Sequence, residues 1–75
     1  MYYPDGQEMR LGDKLEMWDG CTGEVVCSFD TDEYGPSYPK EEWAYLKTGV
    51  LILGDKTGLI HYVAVEPGFR LTSRA

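Results

Sequence analysis

Glycine and proline interrupt this chain at short intervals, and this limits the secondary structure it can form. Nine glycines and four prolines are spread over 75 residues, so the apolar segments between them are short. Several interruptions have the composition of turns, including Asp19-Gly20, Gly54 to Gly58 and Pro67-Gly68. Strands of about five residues fit between such turns, whereas most helices need longer amphipathic stretches. The pattern therefore predicts short strands joined by tight turns.

Five segments have the composition of strands. Leu15 and Met17 alternate with charged residues, which is the period-2 pattern of a half-buried strand. In the next segment, the same period predicts that Val25, Cys27 and Phe29 share one face. The third segment is apolar at every position, which is typical of an interior strand. The five predicted strands cover residues 14–18, 23–30, 50–53, 59–63 and 69–72.

The acidic segment, residues 30–43, differs from the rest of the chain. It contains five acids against one base, two prolines, two tyrosines and a tryptophan. The prolines disfavour a regular strand. Pro39, followed by Glu41 and Glu42, instead favours a short helix over residues 40–46, because proline suits a first helical turn and acids suit its dipole. Trp43 and Leu46 lie three apart, so both are predicted to face the body of the domain.

Together these elements predict a single mostly-β domain over residues 1–75. The expected architecture is a small five-stranded barrel or a bent antiparallel sheet with one short helix. The layout resembles the SH3-like barrel: a Gly-Asp before the first strand, a glycine-led second strand, a long excursion, two hairpin strands and a short last strand. This resemblance covers most of residues 11–72 and implies a fold rather than a function.

A narrower resemblance rests on three stretches: GDKLEMWDGCTGEVVCS, EYGPSYPKEEWAYLKTGVLI and GLIHY. They resemble a family of small bacterial proteins found near polymorphic toxins, in which the role is immunity or inhibition. The resemblance implies a stoichiometric protein–protein inhibitor whose partner is a toxin.

The charge balance argues against a nucleic-acid partner. Thirteen acids and seven bases give a formal net charge of -6, whereas binding a phosphate backbone requires clustered Lys and Arg. Negative charge permits a basic protein partner, although it also simply favours solubility. No apolar run approaches the ~20 residues of a membrane span. The start MYYPDGQEMR does not resemble a signal peptide, so a cytoplasmic protein with reduced thiols is expected.

No set of residues in the sequence predicts an enzyme, a cofactor or a metal. His61, the single histidine, lies in an apolar strand and is expected to be a hydrogen-bonded structural residue rather than a general base. Cys27 is expected to be buried, and Cys21 to lie in a turn; a disulfide between them is an alternative. The spacing from Asp30 to Glu41 only partly matches a calcium loop.

The acidic segment is the strongest candidate for a binding surface, because tyrosine and tryptophan commonly anchor interfaces and acids suit a basic cleft. The alternative is that its rings cap the sheet while its acids form a solvated rim. A second functional hypothesis is a generic SH3-like interaction module that binds a peptide or an assembly partner. In this hypothesis Tyr34, Tyr38, Trp43 and Tyr62 line an aromatic groove, which can dock proline-rich segments. The predicted partner-binding residues are Asp30, Asp32, Glu33, Tyr34, Tyr38, Glu41, Glu42 and Trp43.

Overall fold

The short apolar segments form strands of one antiparallel sheet. The computed structural model describes residues 1–74 and contains six strands, one more than the sequence predicts. One short helix, α1, continues into a turn of 3-10 helix. The strands are β1 (Lys14–Trp18), β2 (Cys21–Ser28), β3 (Glu33–Tyr34), β4 (Val50–Gly54), β5 (Gly58–Tyr62) and β6 (Arg70–Ser73); α1 is Lys40–Trp43 and the 3-10 turn is Ala44–Leu46.

The strand order is β5-β4-β2-β1-β6, with β3 paired to β2 off this path. The long strand β2 is central: β4 lies along one side, while β1 pairs with its first half and β3 with its end. Register irregularities interrupt the pairs β1–β2, β1–β6 and β2–β4, and such bulges bend a sheet. Within residues 1–74, β5 and β6 are edges that do not pair with each other. The mostly-β prediction is confirmed in its bent-sheet form.

The sheet is apolar on both faces, so the protein has two hydrophobic clusters. The main core contains Tyr3 and Met9 from the N-terminal segment together with residues of β1, β2 and β4 and Phe69. The second core, on the other face, consists of Val26, Cys27, Phe29 and Leu51. The predicted shared face of Val25, Cys27 and Phe29 is therefore wrong: Val25 lies in the main core. The register shift between Val25 and Cys27 reverses the alternation there.

Two further expectations change in the structure. Strand β2 begins and ends two residues earlier than predicted. It begins at Cys21 because Trp18 and Cys21 pair across a turn of only Asp19-Gly20. Cys21 is consequently a fully buried strand residue and not an exposed turn residue. The short strand β3 was not predicted. The helix prediction over residues 40–46 is confirmed, and none of the helical segments in the described part of the chain is long and apolar enough to cross a membrane.

Candidate protein-binding surface

Hydrogen bonds between residues 29–30 and Gly49 close the loop that contains the acidic segment. Phe29 N–H donates to the carbonyl of Gly49 (2.9 Å), and Gly49 N–H donates to the Asp30 carboxylate (3.1 Å). Gly35 N–H donates to the carbonyl of Val26 (2.8 Å), which keeps the middle of the segment against β2. The loop between Phe29 and Gly49, which contains the acidic segment, therefore leaves the sheet and returns to it at one closed junction.

The aromatic rings of the acidic segment pack inward. Tyr34, Tyr38 and Trp43 are partly buried against the second core, and Leu46 joins them as its spacing from Trp43 predicted. The Tyr34 ring meets Phe29 edge-on at a centroid distance of 5.8 Å, and the Tyr38 and Trp43 rings are 5.9 Å apart. Such pairs add stability beyond the burial of their area. The rings hold the segment against the outer face of the sheet.

Three of the five acids in this segment form ion pairs within the protein. The Asp30 carboxylate accepts a hydrogen bond from the Met1 amino group (2.8 Å), and the shortest Asp32–Lys40 separation is 3.1 Å. Glu33 pairs with Arg10 at 2.9 Å. These contacts join the segment to the N-terminal residues and to the start of α1. They also make these three carboxylates less available for binding a partner.

Glu33 is the most strongly held of these acids. Its oxygens accept from the Arg10 guanidinium (2.9 and 3.1 Å), from the Thr31 hydroxyl (2.7 Å) and from Leu11 N–H (3.3 Å). The hydrogen bond from Arg10 is the main cause that lowers the pKa of Glu33 to about 2, and the other donors add to it. This contact was not predictable from the sequence, because Arg10 and Glu33 lie 23 positions apart.

We expect Glu33→Gln to lower the free energy of unfolding at pH 7 by about 1 kcal/mol, because Arg10 is half exposed and water screens the pair. The folded pKa lies below the unfolded value near 4.5, so the pair stabilises the protein fully above pH 4.5. The difference between wild type and variant should shrink as the pH falls from 4.5 towards 2. Urea unfolding at several pH values measures it.

Glu8→Gln is the matched control, since Glu8 reaches the same guanidinium only at 4.0 Å. Its unfolding free energy should follow that of wild type within about 0.5 kcal/mol at every pH. A Glu33→Gln difference that stays constant down to pH 2 would contradict the strong pairing of Glu33.

The remaining two acids face outward with an exposed ring. Glu41 and Glu42 lie in the first turn of α1, are exposed, and form no ion pair within residues 1–74. Tyr45, in the following 3-10 turn, is 69% exposed. Glu41, Glu42 and Tyr45 form what we call the α1 outer surface. Tyr45 was missed by the sequence analysis, although it lies between the inward-facing Trp43 and Leu46.

A groove runs along the outer face of the sheet beside the acidic segment. One part, about 420 Å³, lies between residues 35–38 and β2; the other, about 540 Å³, extends towards Lys14 and Thr72. Glu24 and Leu53 line both parts. Tyr62 does not contribute, because it packs on the main core against Phe69, on the opposite face. The four rings proposed from the sequence therefore do not line one groove.

Comparison with known proteins found no match. No family model, curated protein or solved structure matches this chain. The resemblance to immunity proteins stays a prediction, and function has to be inferred from the placement of side chains.

The histidine and the two cysteines occupy structural positions. The His61 Nε2 atom lies 2.8 Å from the carbonyl oxygen of Thr48, and the ring meets Phe29 edge-on. This confirms a hydrogen-bonded strand histidine. Cys21 and Cys27 are both free and buried, and burial raises the pKa of each thiol. They lie in different cores on opposite faces of the sheet, which excludes a disulfide between them.

The other candidate sites are also accounted for. Within residues 1–74, no three His, Cys, Asp or Glu side chains converge as a group that could hold a metal ion, and this includes the acids between Asp30 and Glu41. The stretch from Gly54 to Gly58 is the hairpin turn between β4 and β5. Asp55 in that turn accepts hydrogen bonds from the backbone N–H and hydroxyl of Thr22, both at 3.2 Å.

Proposed function

We propose that this protein is a stoichiometric inhibitor that binds a partner protein through the α1 outer surface and blocks it by occlusion. The observation that carries this proposal is the opposite orientation of side chains within one segment. The rings of Tyr34, Tyr38 and Trp43 pack on the sheet, whereas the carboxylates of Glu41 and Glu42 are exposed. The inward rings fix a helix whose free charges point away from the domain.

This arrangement preorganises the α1 outer surface for binding a partner. A segment that is already packed loses less conformational entropy on binding than a free loop does. An exposed tyrosine such as Tyr45 offers a large contact area at low entropic cost and is a common interface anchor. Free carboxylates beside it speed the encounter with a basic surface and select against acidic ones.

The partner we propose has a basic cleft. The net charge of -6 favours association with a positively charged protein. The resemblance to immunity proteins adds a class of partner, namely a toxin domain whose basic cleft serves its own substrate. Occlusion then requires only that the α1 outer surface cover this cleft.

The test is an affinity capture from source cells with three forms of the protein. The wild type, a Glu41→Gln/Glu42→Gln variant and an Asp19→Asn/Glu66→Gln control are compared as bait; both variants lose two negative charges, from exposed acids. We expect a protein that wild type and control retain equally and that the α1 variant retains at least fivefold less, because steering is local. Equal loss from both variants would show that only net charge matters.

The outer groove supports a second candidate function, a peptide-binding module. Its walls combine Pro36 and Tyr38 with Leu53, and such apolar and aromatic grooves can dock proline-rich segments. Titration of proline-rich peptides into a Trp18→Phe background would report on Trp43, which contacts Tyr38. Saturable fluorescence changes that Leu53→Lys abolishes would favour this module over the inhibitor.

A further inference from the structure

Residues 36–47, which we call the flap, contain α1 and the 3-10 turn and are only weakly tied to the sheet. Within residues 1–74, no backbone–backbone hydrogen bond joins the flap to a strand. No flap residue is fully buried, whereas Gly35 and Gly49, on either side of it, both are. Segments with few buried contacts and no ladder hydrogen bonds open at a lower free energy than the core of a protein does. The flap is therefore the part of this loop that can open locally.

Side chains hold the flap closed. Tyr38, Trp43 and Leu46 are partly buried against the second core. The Tyr38 carbonyl accepts a hydrogen bond from the Cys27 thiol at 3.7 Å. Cys27 is fully buried beneath this cover. Opening of the flap would therefore expose the Cys27 thiol.

Lys47, the last residue of the flap, has a strained conformation. Its φ is 69° and its ψ is -40°. Thr48 N–H donates to the Leu46 carbonyl across it at 2.8 Å. This is a γ-turn with a positive φ, which is rare and strained for a residue other than glycine. When the flap opens, Lys47 can leave this conformation, so the strain opposes closure.

The chain is fixed to the sheet immediately after Lys47. The Thr48 carbonyl oxygen lies 2.8 Å from His61 Nε2, and Gly49 N–H donates to the Asp30 carboxylate at 3.1 Å. A hinge lies where a mobile segment meets a fixed one, and a few residues there absorb the change in φ and ψ. Lys47 occupies that position.

We propose that the flap opens as a unit about Lys47, and that the strain at Lys47 sets how often it opens. The open form is the minor one, because opening exposes apolar side chains of the second core. The flap carries Glu41, Glu42 and Tyr45, so opening removes the α1 outer surface from its place on the domain. This consequence for binding rests on the function proposed above, whereas the opening itself does not.

Alkylation of Cys27 by N-ethylmaleimide measures the opening in the free protein. Cleavage after Glu24 separates Cys27 from Cys21, so mass spectrometry follows Cys27 alone. We expect Cys27 to react at least tenfold faster than the global unfolding equilibrium, measured in urea, allows. Its rate should change little at low urea concentrations, because opening the flap exposes much less surface than unfolding does.

Three substitutions of Lys47 test the hinge. Lys47→Gly should slow Cys27 alkylation about fivefold, since glycine adopts a positive φ without a steric penalty. Lys47→Ala is the matched control: it removes the exposed side chain and its charge but keeps the strain, so its rate should stay within about twofold of wild type. Lys47→Val should speed alkylation at least threefold, because a β-branched residue is strained further. Circular dichroism establishes that all three variants fold.

Gly58→Ala controls for global stability. Gly58 has a φ of 75° and lies in the turn between β4 and β5, outside the flap. Alanine there strains the closed and the open forms equally, so Cys27 alkylation should stay within about twofold of wild type.

Two sets of results would overturn the proposal. Cys27 alkylation no faster than global unfolding allows, or accelerated by Gly58→Ala as much as by Lys47→Val, would exclude local opening. Equal rates for Lys47→Gly and Lys47→Ala would exclude strain as its cause. These measurements need no partner, so their failure leaves the proposed inhibitor function standing, and failure of the affinity capture leaves the flap standing.

Discussion

Replacing Gly49 with alanine should destabilise the protein by about 3 kcal/mol or more, as measured by urea unfolding. Gly49 has a φ of 85°, a left-handed conformation that alanine adopts only with strain. An added Cβ would also collide with the backbone carbonyl of Tyr62. That carbonyl belongs to β5, which pairs with β4 through Val50 and Tyr62, so it cannot move without breaking the sheet.

The Gly58→Ala variant separates the cost of the left-handed conformation from the cost of the steric collision. Gly58 has a similar φ of 75°, but an added Cβ there meets no atom within 4 Å. It should therefore cost only the conformational term, about 1 kcal/mol. Equal losses at Gly49 and Gly58 would show that the close approach of Gly49 to β5 does not exist in solution.

Replacing Asp13 with alanine should lower the free energy of unfolding by about 3 kcal/mol or more. Asp13 is fully buried, and its Oδ2 atom accepts from the Tyr3 hydroxyl (2.9 Å), from Arg10 N–H (3.0 Å) and from the Arg74 guanidinium (3.2 Å). One carboxylate thus ties the N-terminal segment and the end of the chain to the start of β1. Alanine would leave the buried Tyr3 hydroxyl and the part-buried Arg10 N–H without an acceptor.

Two further variants provide reference values for the free energy lost in Asp13→Ala. Tyr3→Phe removes one donor and should cost about 1 kcal/mol. Glu16→Ala removes a carboxylate that pairs with Arg70 at 3.3 Å on the surface, and it should cost at most about 1 kcal/mol. An Asp13→Ala loss no larger than that of Glu16→Ala would contradict a buried role for Asp13.

The strands were predictable from the sequence because turn residues and alternation mark them locally. β1 has the predicted bounds, and β4, β5 and β6 differ by only one residue at their ends. The bulge after Val25 was not predictable, because alternation assumes an unbroken ladder. Strand β3, with two residues, is too short to show any period. Cys21 looked like a turn residue because glycines flank it, but pairing with Trp18 buries it.

The composition of the acidic segment distinguished it from the rest of the chain. It did not predict which side chains face the sheet and which face the solvent. The ion pair of Glu33 depends on Arg10, which belongs to a segment distant in the sequence. The exposed position of Tyr45 was within reach of the sequence. At 3.6 residues per turn, a residue two positions after the inward Trp43 lies on the opposite side of the helix. The same spacing rule that placed Leu46 inward places Tyr45 outward.

The claim that the α1 outer surface makes the contact can be tested on the captured partner by stopped-flow association at several salt concentrations. We predict that Glu41→Gln/Glu42→Gln slows association about tenfold at low salt, with a shallower salt dependence than wild type. Tyr45→Ala should instead speed dissociation about tenfold. The Asp19→Asn/Glu66→Gln control should stay within about twofold of wild type in both rates. Unchanged association for the Glu41→Gln/Glu42→Gln variant would contradict this account.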